Sequence, residues 1–354
     1  MAIREVIIIG DFLKDLDDEH TLCLSAKLHR DGVIDLRCVI GNLEPAMLRA
    51  RGAKGTLMKL GLGDIPVGVG MPVFKGREYP YESQVPYISS TSDVHENGYE
   101  LLVRVLKSCR RRNVILVLQS GLTDACELLR RQPILFKSKI RQVAIMGGIE
   151  INGQKARLSS EGRLVPNNAN NNTFDMLSAE RLYEMLQRER ISMVITTRDA
   201  AYACQIPFSA YDEMETTGNA VGLCLKGRQK PALQKLWEAA CSPAGSDIRG
   251  TLPSDRNREW FVNVFCGGKK VDIADGADIW PFVDSFNLYD PINFVAAIPS
   301  LRRKFFWPEK IMVDKTAHWV IGLSRERHGI KDIEALRRFL IDSEVGAMVA
   351  AEKD

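Results

Sequence analysis

The 354-residue sequence has no Cys-x-x-Cys pair, no apolar run long enough to span a bilayer and no strong charge excess. Each absence excludes something. Without paired spacing, the eight cysteines (23, 38, 109, 126, 204, 224, 241 and 266) offer neither a zinc site nor a disulfide framework. Most lie in apolar contexts, such as Cys38 in Leu36–Ile40, and read as reduced core thiols. The formal charge of +3 and the pI near 8.4 are too mild for a nucleic-acid or membrane-surface partner. Arg110-Arg111-Arg112 reads as a solvated helix end. The N-terminus carries no signal-peptide pattern, so the expectation is a soluble, cytoplasmic protein. No Gly-x-Gly-x-x-Gly follows the first apolar run, which weakens any reading as a dinucleotide-binding oxidoreductase.

What is present is organised around Val6–Glu19. Val6-Ile7-Ile8-Ile9 reads as a buried parallel strand. Asp11, Asp15, Asp17, Asp18 and Glu19 follow within nine residues, ahead of a helix over Thr21–Arg30. The acids are therefore expected in the loop at the carboxyl end of a strand, where open α/β sheets bind ligands. Like charges this close need a cation or strong donors, and hard oxygen ligands suit calcium or magnesium. A solvated acidic turn is the alternative reading, and the apolar strand directly before it argues against that.

Further strands are expected at 34–40, 65–70, 113–118, 142–146 and 191–196, with helices at 46–60, 99–109, 125–131 and 178–190. Residues 71–98 read as a long loop. Residues 207–259 read as helical with a break near Pro243–Gly245, and strands are expected near Trp260–Phe265 and Lys269–Ile273. A β-hairpin over 310–322 and a helix over 333–340 close the chain. The alternation predicts one α/β domain, residues 1–354, built on an open, doubly wound, mostly parallel sheet flanked by helices. Gly10-Asp11, Gly41-Asn42 and Ser120-Gly121-Leu122-Thr123 should then share one sheet edge. Five asparagines fill six positions at 167–172, offering donors and acceptors suited to sugar hydroxyls. Asp290 stands just before a helix-starting proline. Lys14 is either a solvated lysine or a cation compensating the acids. His20 is expected on a helix surface. Trp260, Trp280, Phe282 and Phe286 are candidates for base stacking or for the core.

These signatures, in this order, resemble the inosine–uridine-type nucleoside hydrolase family over about residues 4–300. The family's opening Asp-x-Asp-x-x-x-Asp-Asp motif is matched at Asp11, Asp17 and Asp18. Gly41-Asn42, Gly121-Leu122-Thr123, Met146-Gly147-Gly148, Asn170-Asn171 with Asp175, and Tyr289-Asp290 match its later motifs. The resemblance implies a calcium ion held by Asp18, the backbone carbonyl of Thr123 and Asp290. Asp17, Asn42 and Asn171 would hold ribose hydroxyls, and Met146 and Asn170 would also meet the substrate. It further implies hydrolysis of an N-ribosidic bond through an oxocarbenium-like state, and a homo-oligomer.

Three departures stand out. Leu13 replaces the family's second aspartate, a calcium ligand and the base that deprotonates water, leaving Asp15 or Asp11 to stand in. Ala169 replaces the glutamate that binds the 5′-hydroxyl, and Tyr289 replaces the histidine beside the leaving base. The pattern is similar to a divergent branch that includes nucleoside-hydrolase-like effectors of plant-pathogenic bacteria. A 5′-phosphate, repelled by a glutamate, would be tolerated by Ala169 among Asn167, Asn168, Asn170 and Asn172, with Arg198 at hand. The expected ligand is a nucleoside or a 5′-phosphorylated or ADP-ribose-type nucleotide. The alternative is a catalytically silent binding protein that lost its base with Leu13.

Overall fold

A computed structural model describes residues 3–73, 85–250, 252–268 and 273–353. Along the chain the first half alternates: β1 (Arg4–Gly10), α1 (Asp17–Arg30), β2 (Ile34–Gly41), α2 (Ala46–Lys59), β3 (Val67–Val69), α3 (Gly98–Ser108), β4 (Val114–Leu118), α4 (Thr123–Arg131), α5 (Pro133–Lys139) and β5 (Ile140–Met146). Then come α6 (Asn170–Thr173), α7 (Met176–Arg188), β6 (Ser192–Thr196), α8 (Arg198–Ala203), α9 (Ser209–Thr216), α10 (Ala220–Cys241), α11 (Arg258–Phe265), α12 (Tyr289–Ala297) and α13 (Pro299–Phe305). The hairpin β7 (Glu309–Val313) and β8 (Thr316–Ile321) precedes α14 (Ile333–Ala351).

Eight strands form one sheet in the order β7-β8-β6-β5-β4-β1-β2-β3, in which only β7 is antiparallel. Strands buried on both faces read as continuous apolar runs, and alternate residues feed opposite cores. Val6 and Ile8 pack with α1, α2, α10, α12 and α14, while Ile7 and Ile9 pack with α3, α4, α5 and α7. The chain leaves β1 toward β3 on one side and resumes at β4 on the other. The carboxyl ends of β1 and β4 therefore flank the point where the strand order reverses.

The expected strand at Trp260–Phe265 is helical instead. The Asn257 side chain accepts from Trp260 N at 3.0 Å and caps α11. Phe261, Val264 and Phe265 then share one buried helical face. The expected strand at Lys269–Ile273 lies outside the described residues except for Ile273, as does much of the expected loop at 71–98. The last helix runs eleven residues past its expected end. All eight cysteines are free. Among the described residues no helix is long and apolar enough to cross a membrane.

Candidate functional site

Parallel pairing brings the carboxyl ends of β1, β2, β4 and β5 to one edge, and a cleft of about 1190 Å³ opens there. Asn42 N donates to Gly10 O at 3.0 Å and Gln119 N to Ile9 O at 2.8 Å. Asn42 and Gln119 thus stand on either side of Gly10. Above it lies Asp18, whose Oδ1 comes within 2.4 Å of where a Cβ on residue 10 would sit. Only glycine leaves room for that carboxylate.

The acids divide between loop and helix. Asp17, Asp18 and Glu19 form the first turn of α1 rather than the preceding loop, because nothing in the sequence breaks a helix there and negative charge is favoured at that end. Asp11 and Asp15 remain in the loop, joined by Lys14, whose Nζ lies 3.2 Å from Asp11 Oδ2 and 3.1 Å from Asp15 Oδ2. Lys14 is buried, with Nζ also 5.3 Å from the centroid of the Phe174 ring. It compensates the cluster and is not a solvated loop lysine. Carboxylate oxygens of Asp15, Asp17 and Asp18 come within 4.8 Å of one another. Asp290, in the first turn of α12, donates its backbone N–H to Asp17 Oδ2 at 3.3 Å.

Two like charges about 4 Å apart repel by about 4 kcal/mol at the effective dielectric of a protein boundary. The cluster cannot stay fully ionised alone. Burial, reinforced by the charges of Asp15 and Asp290, holds Asp17 well above the usual carboxylate range. Burial and the charge of Asp290 do the same to Asp18, and burial and Asp15 to Asp290. For Asp11, burial outweighs the attraction of Lys14 and raises the carboxyl. Asp15 goes the other way: burial pushes it up, but Lys14 and a hydrogen bond from Asp17 prevail and bring it to about 2.

Leu13 is turned away from all this. Its φ is +70°, and its side chain is buried against Gly52 on α2, where a Cβ would meet Leu13 Cδ1 at 2.4 Å. Its N–H donates to Glu19 Oε1 at 3.1 Å. The loop has thus been rebuilt so that Asp15 joins Asp17 and Asp18 while residue 13 faces the core.

The remaining candidates are pinned by backbone. Asn42 Nδ2 donates to Gly121 O at 3.0 Å and to Asp124 Oδ2 at 2.9 Å. Asn171 Nδ2 donates to Gln119 O and Met146 O, both at 3.0 Å, so Met146 meets the site as an acceptor that fixes Asn171. Asn172 Nδ2 is spent on Gly148 O and Asn167 O, and Asn167 Oδ1 accepts from Ala169 N. Much of the asparagine run therefore braces the chain, leaving Asn168 and Asn170 exposed at the cleft. Thr123, like Asp18 and Asn42, is not among the residues that line the cleft, and its hydroxyl donates to Asp175 Oδ2 at 2.8 Å. Gln119, which the sequence does not single out, does line it. Its Nε2 donates to Asp290 O at 2.8 Å and to Thr21 Oγ1 at 3.1 Å.

Tyr289 lines the cleft edge-on to Tyr202, with ring centroids 5.9 Å apart, and burial and Tyr202 keep its hydroxyl protonated far above neutrality. Around Tyr202 gather Arg198, on the same helix, Arg256, 3.5 Å from the Tyr202 hydroxyl, and Arg325, 5.6 Å from the ring centroid. Trp260 and Phe286 line the cleft; Trp280 packs on Phe208 and Phe282 lies beside it in a short turn. His20 is fully buried rather than on a helix surface, because Glu344 of α14 meets its Nδ1 at 2.5 Å.

The donor set fits a hard cation. Asp18 Oδ1 and Oδ2, Asn42 Oδ1 and Gln119 Oε1 are buried without a hydrogen-bond partner among the described residues, and the three residues stand around the carboxyl end of β1. Buried polar oxygens are ordinarily satisfied, and oxygens alone suit calcium or magnesium.

No family model and no curated protein sequence matches this chain. Solved structures do. The type III effector protein XopQ, complexed with adenosine diphosphate ribose, is 27% identical with a TM-score of 0.83, covering 99% of this chain and 94% of that one. The effector protein XOO4466 is 27% identical with a TM-score of 0.80, covering 99% and 95%. A purine-preferring ribonucleoside hydrolase from Gardnerella vaginalis is 11% identical with a TM-score of 0.60, covering 98% and 100%, a likeness of fold alone. The chain has the nucleoside-hydrolase fold, in the divergent form carried by these effector proteins.

Proposed function

We propose that the cleft holds a ribose-containing nucleotide on a calcium ion and hydrolyses its N-ribosidic bond. The observation that carries this reading is the set of partnerless buried oxygens of Asp18, Asn42 and Gln119 beside the Asp15–Asp17–Asp18 cluster. Asp18, Asp290, Asp15 and, as the family resemblance implies, the backbone carbonyl of Thr123 would hold the ion. When bound, calcium supplies a coordination shell that takes a sugar diol together with a water and makes that water more acidic.

The chain's own residues do the rest. Asp17, Asn42 and Asn171 orient the ribose hydroxyls, with Asn42 and Asn171 held rigid by their backbone acceptors. Asp15, held ionised by Lys14, accepts the proton from the attacking water in place of the lost aspartate at position 13, and Asp11 keeps Lys14 in place. Carboxylates around the anomeric carbon stabilise the oxocarbenium-like charge. Tyr289, protonated at neutral pH, stands near the leaving group as a hydrogen-bond donor.

The 5′ end is read by charge. Ala169 leaves no carboxylate, and Arg198, Arg256 and Arg325 converge on Tyr202. Guanidinium groups suit phosphate oxygens. The cleft is larger than most small-ligand sites of about 300–1,000 Å³. An ADP-ribose-type nucleotide fits that charge and size, in keeping with the ligand of the XopQ complex.

A second reading, a binding protein without turnover, is favoured by Leu13 facing the core. A release assay separates the two. Protein with calcium is given inosine, AMP and ADP-ribose, and free base or ribose is followed by chromatography. Release from a phosphorylated substrate, abolished in Asp15→Asn, supports hydrolysis through Asp15. Calcium-dependent binding without release leaves the binding protein.

A further inference from the structure

One buried polar chain runs from Glu344 on α14 through His20 to Gln229 on α10 at the cleft wall. Glu344 Oε2 lies 2.5 Å from His20 Nδ1, His20 Nε2 lies 3.2 Å from the Tyr211 hydroxyl, and that hydroxyl donates to Gln229 Oε1 at 3.2 Å. Glu344, His20 and Tyr211 are at most 1% exposed, so the chain is fixed within the core. Tyr211 is held further by His20 and Phe286, both edge-on at 5.5 and 4.8 Å between centroids. His20, Tyr211 and Gln229 all line the cleft, and Gln229 is the most exposed member of the chain. Its carbonyl oxygen is spent on Tyr211, and its amide N–H groups have no partner among the described residues.

The surroundings of Gln229 are apolar. Ala232, Leu233 and Leu236 follow it along the same face of α10 at helical spacing, and all line the cleft. Phe265, Trp260 and Phe286 line the cleft as well. An apolar and aromatic wall bearing one oriented amide is the chemistry that takes a flat heteroaromatic ring and reads one atom on its edge. The acids at the other part of the cleft take hydroxyls and a cation, so ring and sugar find separate walls.

We propose that Gln229 is the specificity-determining residue for the base, donating an N–H to an acceptor atom of the nucleobase. Tyr211, backed by His20 and Glu344, is the positioning residue that fixes which end of the amide faces the ligand. An unanchored glutamine presents either its oxygen or its nitrogen and reads nothing. Anchored through Oε1, it donates an N–H to a ring nitrogen or carbonyl oxygen and finds no acceptor in a C–H at that place. This assignment rests on the ribose-nucleotide reading.

The test uses calorimetric titration of the full chain with calcium, with AMP, its 1-deaza, 3-deaza and 7-deaza analogues, and ribose 5-phosphate as probes. One deaza analogue binds the wild-type protein about tenfold more weakly than AMP, the size of one lost hydrogen bond. Gln229→Leu binds AMP as weakly as that analogue and no longer separates the two, while its affinity for ribose 5-phosphate is unchanged. Tyr211→Phe, which keeps the ring packing, narrows the AMP-to-deaza ratio and leaves ribose 5-phosphate binding intact. Wild-type discrimination persisting in Gln229→Leu overturns the assignment and leaves the ribose reading standing. Failure of the wild-type protein to bind any probe, ribose 5-phosphate included, overturns both.

Discussion

Asp124 holds Asn42. The Asp124 Oδ2 accepts from Asn42 Nδ2 at 2.9 Å while its Oδ1 accepts from Met71 N at 3.0 Å, so one buried carboxylate ties the end of β2 to the segment after β3. With its nitrogen engaged, Asn42 keeps Oδ1 buried and without a partner among the described residues.

Asp124→Ala leaves the Asn42 amide held by Gly121 O alone and removes the partner of Met71 N. We expect nucleotide affinity to fall about tenfold and stability by about 1–3 kcal/mol, the cost of leaving a buried donor unpaired. Titration calorimetry and urea unfolding measure the two effects separately. Unchanged affinity in a folded variant means that Asn42 does not depend on Asp124.

Arg49 underlies the acidic loop. It is 1% exposed and donates to the carbonyls of Asp11, Phe12, Leu43 and Glu44 at 2.7–3.2 Å. Arg49→Met keeps the bulk of the stem and removes every donor. The expected loss is about 3 kcal/mol or more in urea unfolding, since several buried carbonyls lose their partners at once. A loss under about 1 kcal/mol, the scale of an exposed ion pair, would show that water replaces the guanidinium there.

His318 supplies a pH dependence remote from the cleft. It is fully buried on β8, accepts from Met193 N at 3.2 Å, and burial lowers its pKa from 6.5 to about 4. Between those values the unfolded chain binds more protons, so the contribution is complete above about pH 6.5 and is lost as pH falls toward 4. Between pH 7 and pH 5 the loss is about 2 kcal/mol. His318→Gln, which keeps an acceptor for Met193 N, should show a shallower fall over that interval in urea titrations. Equal slopes would mean that His318 titrates in the folded protein as it does in the unfolded chain.

The strand ends were legible because each pairs an apolar run with a small or polar stop within a few residues, as at Ile9-Gly10-Asp11 and Ile40-Gly41-Asn42. The braces were not. Gln119 and Asp124 sit beside a recognised turn, yet their partners Asp290 and Asn42 lie 171 and 82 residues away. The burial of His20 is not legible because nothing local announces Glu344, which is 324 residues distant. Trp260–Phe265 misleads because a short apolar run carries no decisive period, and the Asn257 cap is the one local signal of a helix. At position 13 the sequence told what was lost, while only the positive φ and Gly52 reveal where the leucine goes.

The central claim is that a divalent cation and a ribose nucleotide occupy the Asp18 site together. The direct measurement is calorimetric titration of ADP-ribose into the full chain with calcium, after chelation, and in Asp18→Asn. The account predicts saturable binding with calcium that falls at least tenfold on chelation and in the variant, the variant staying folded by circular dichroism. Equal affinity in all three conditions would contradict it.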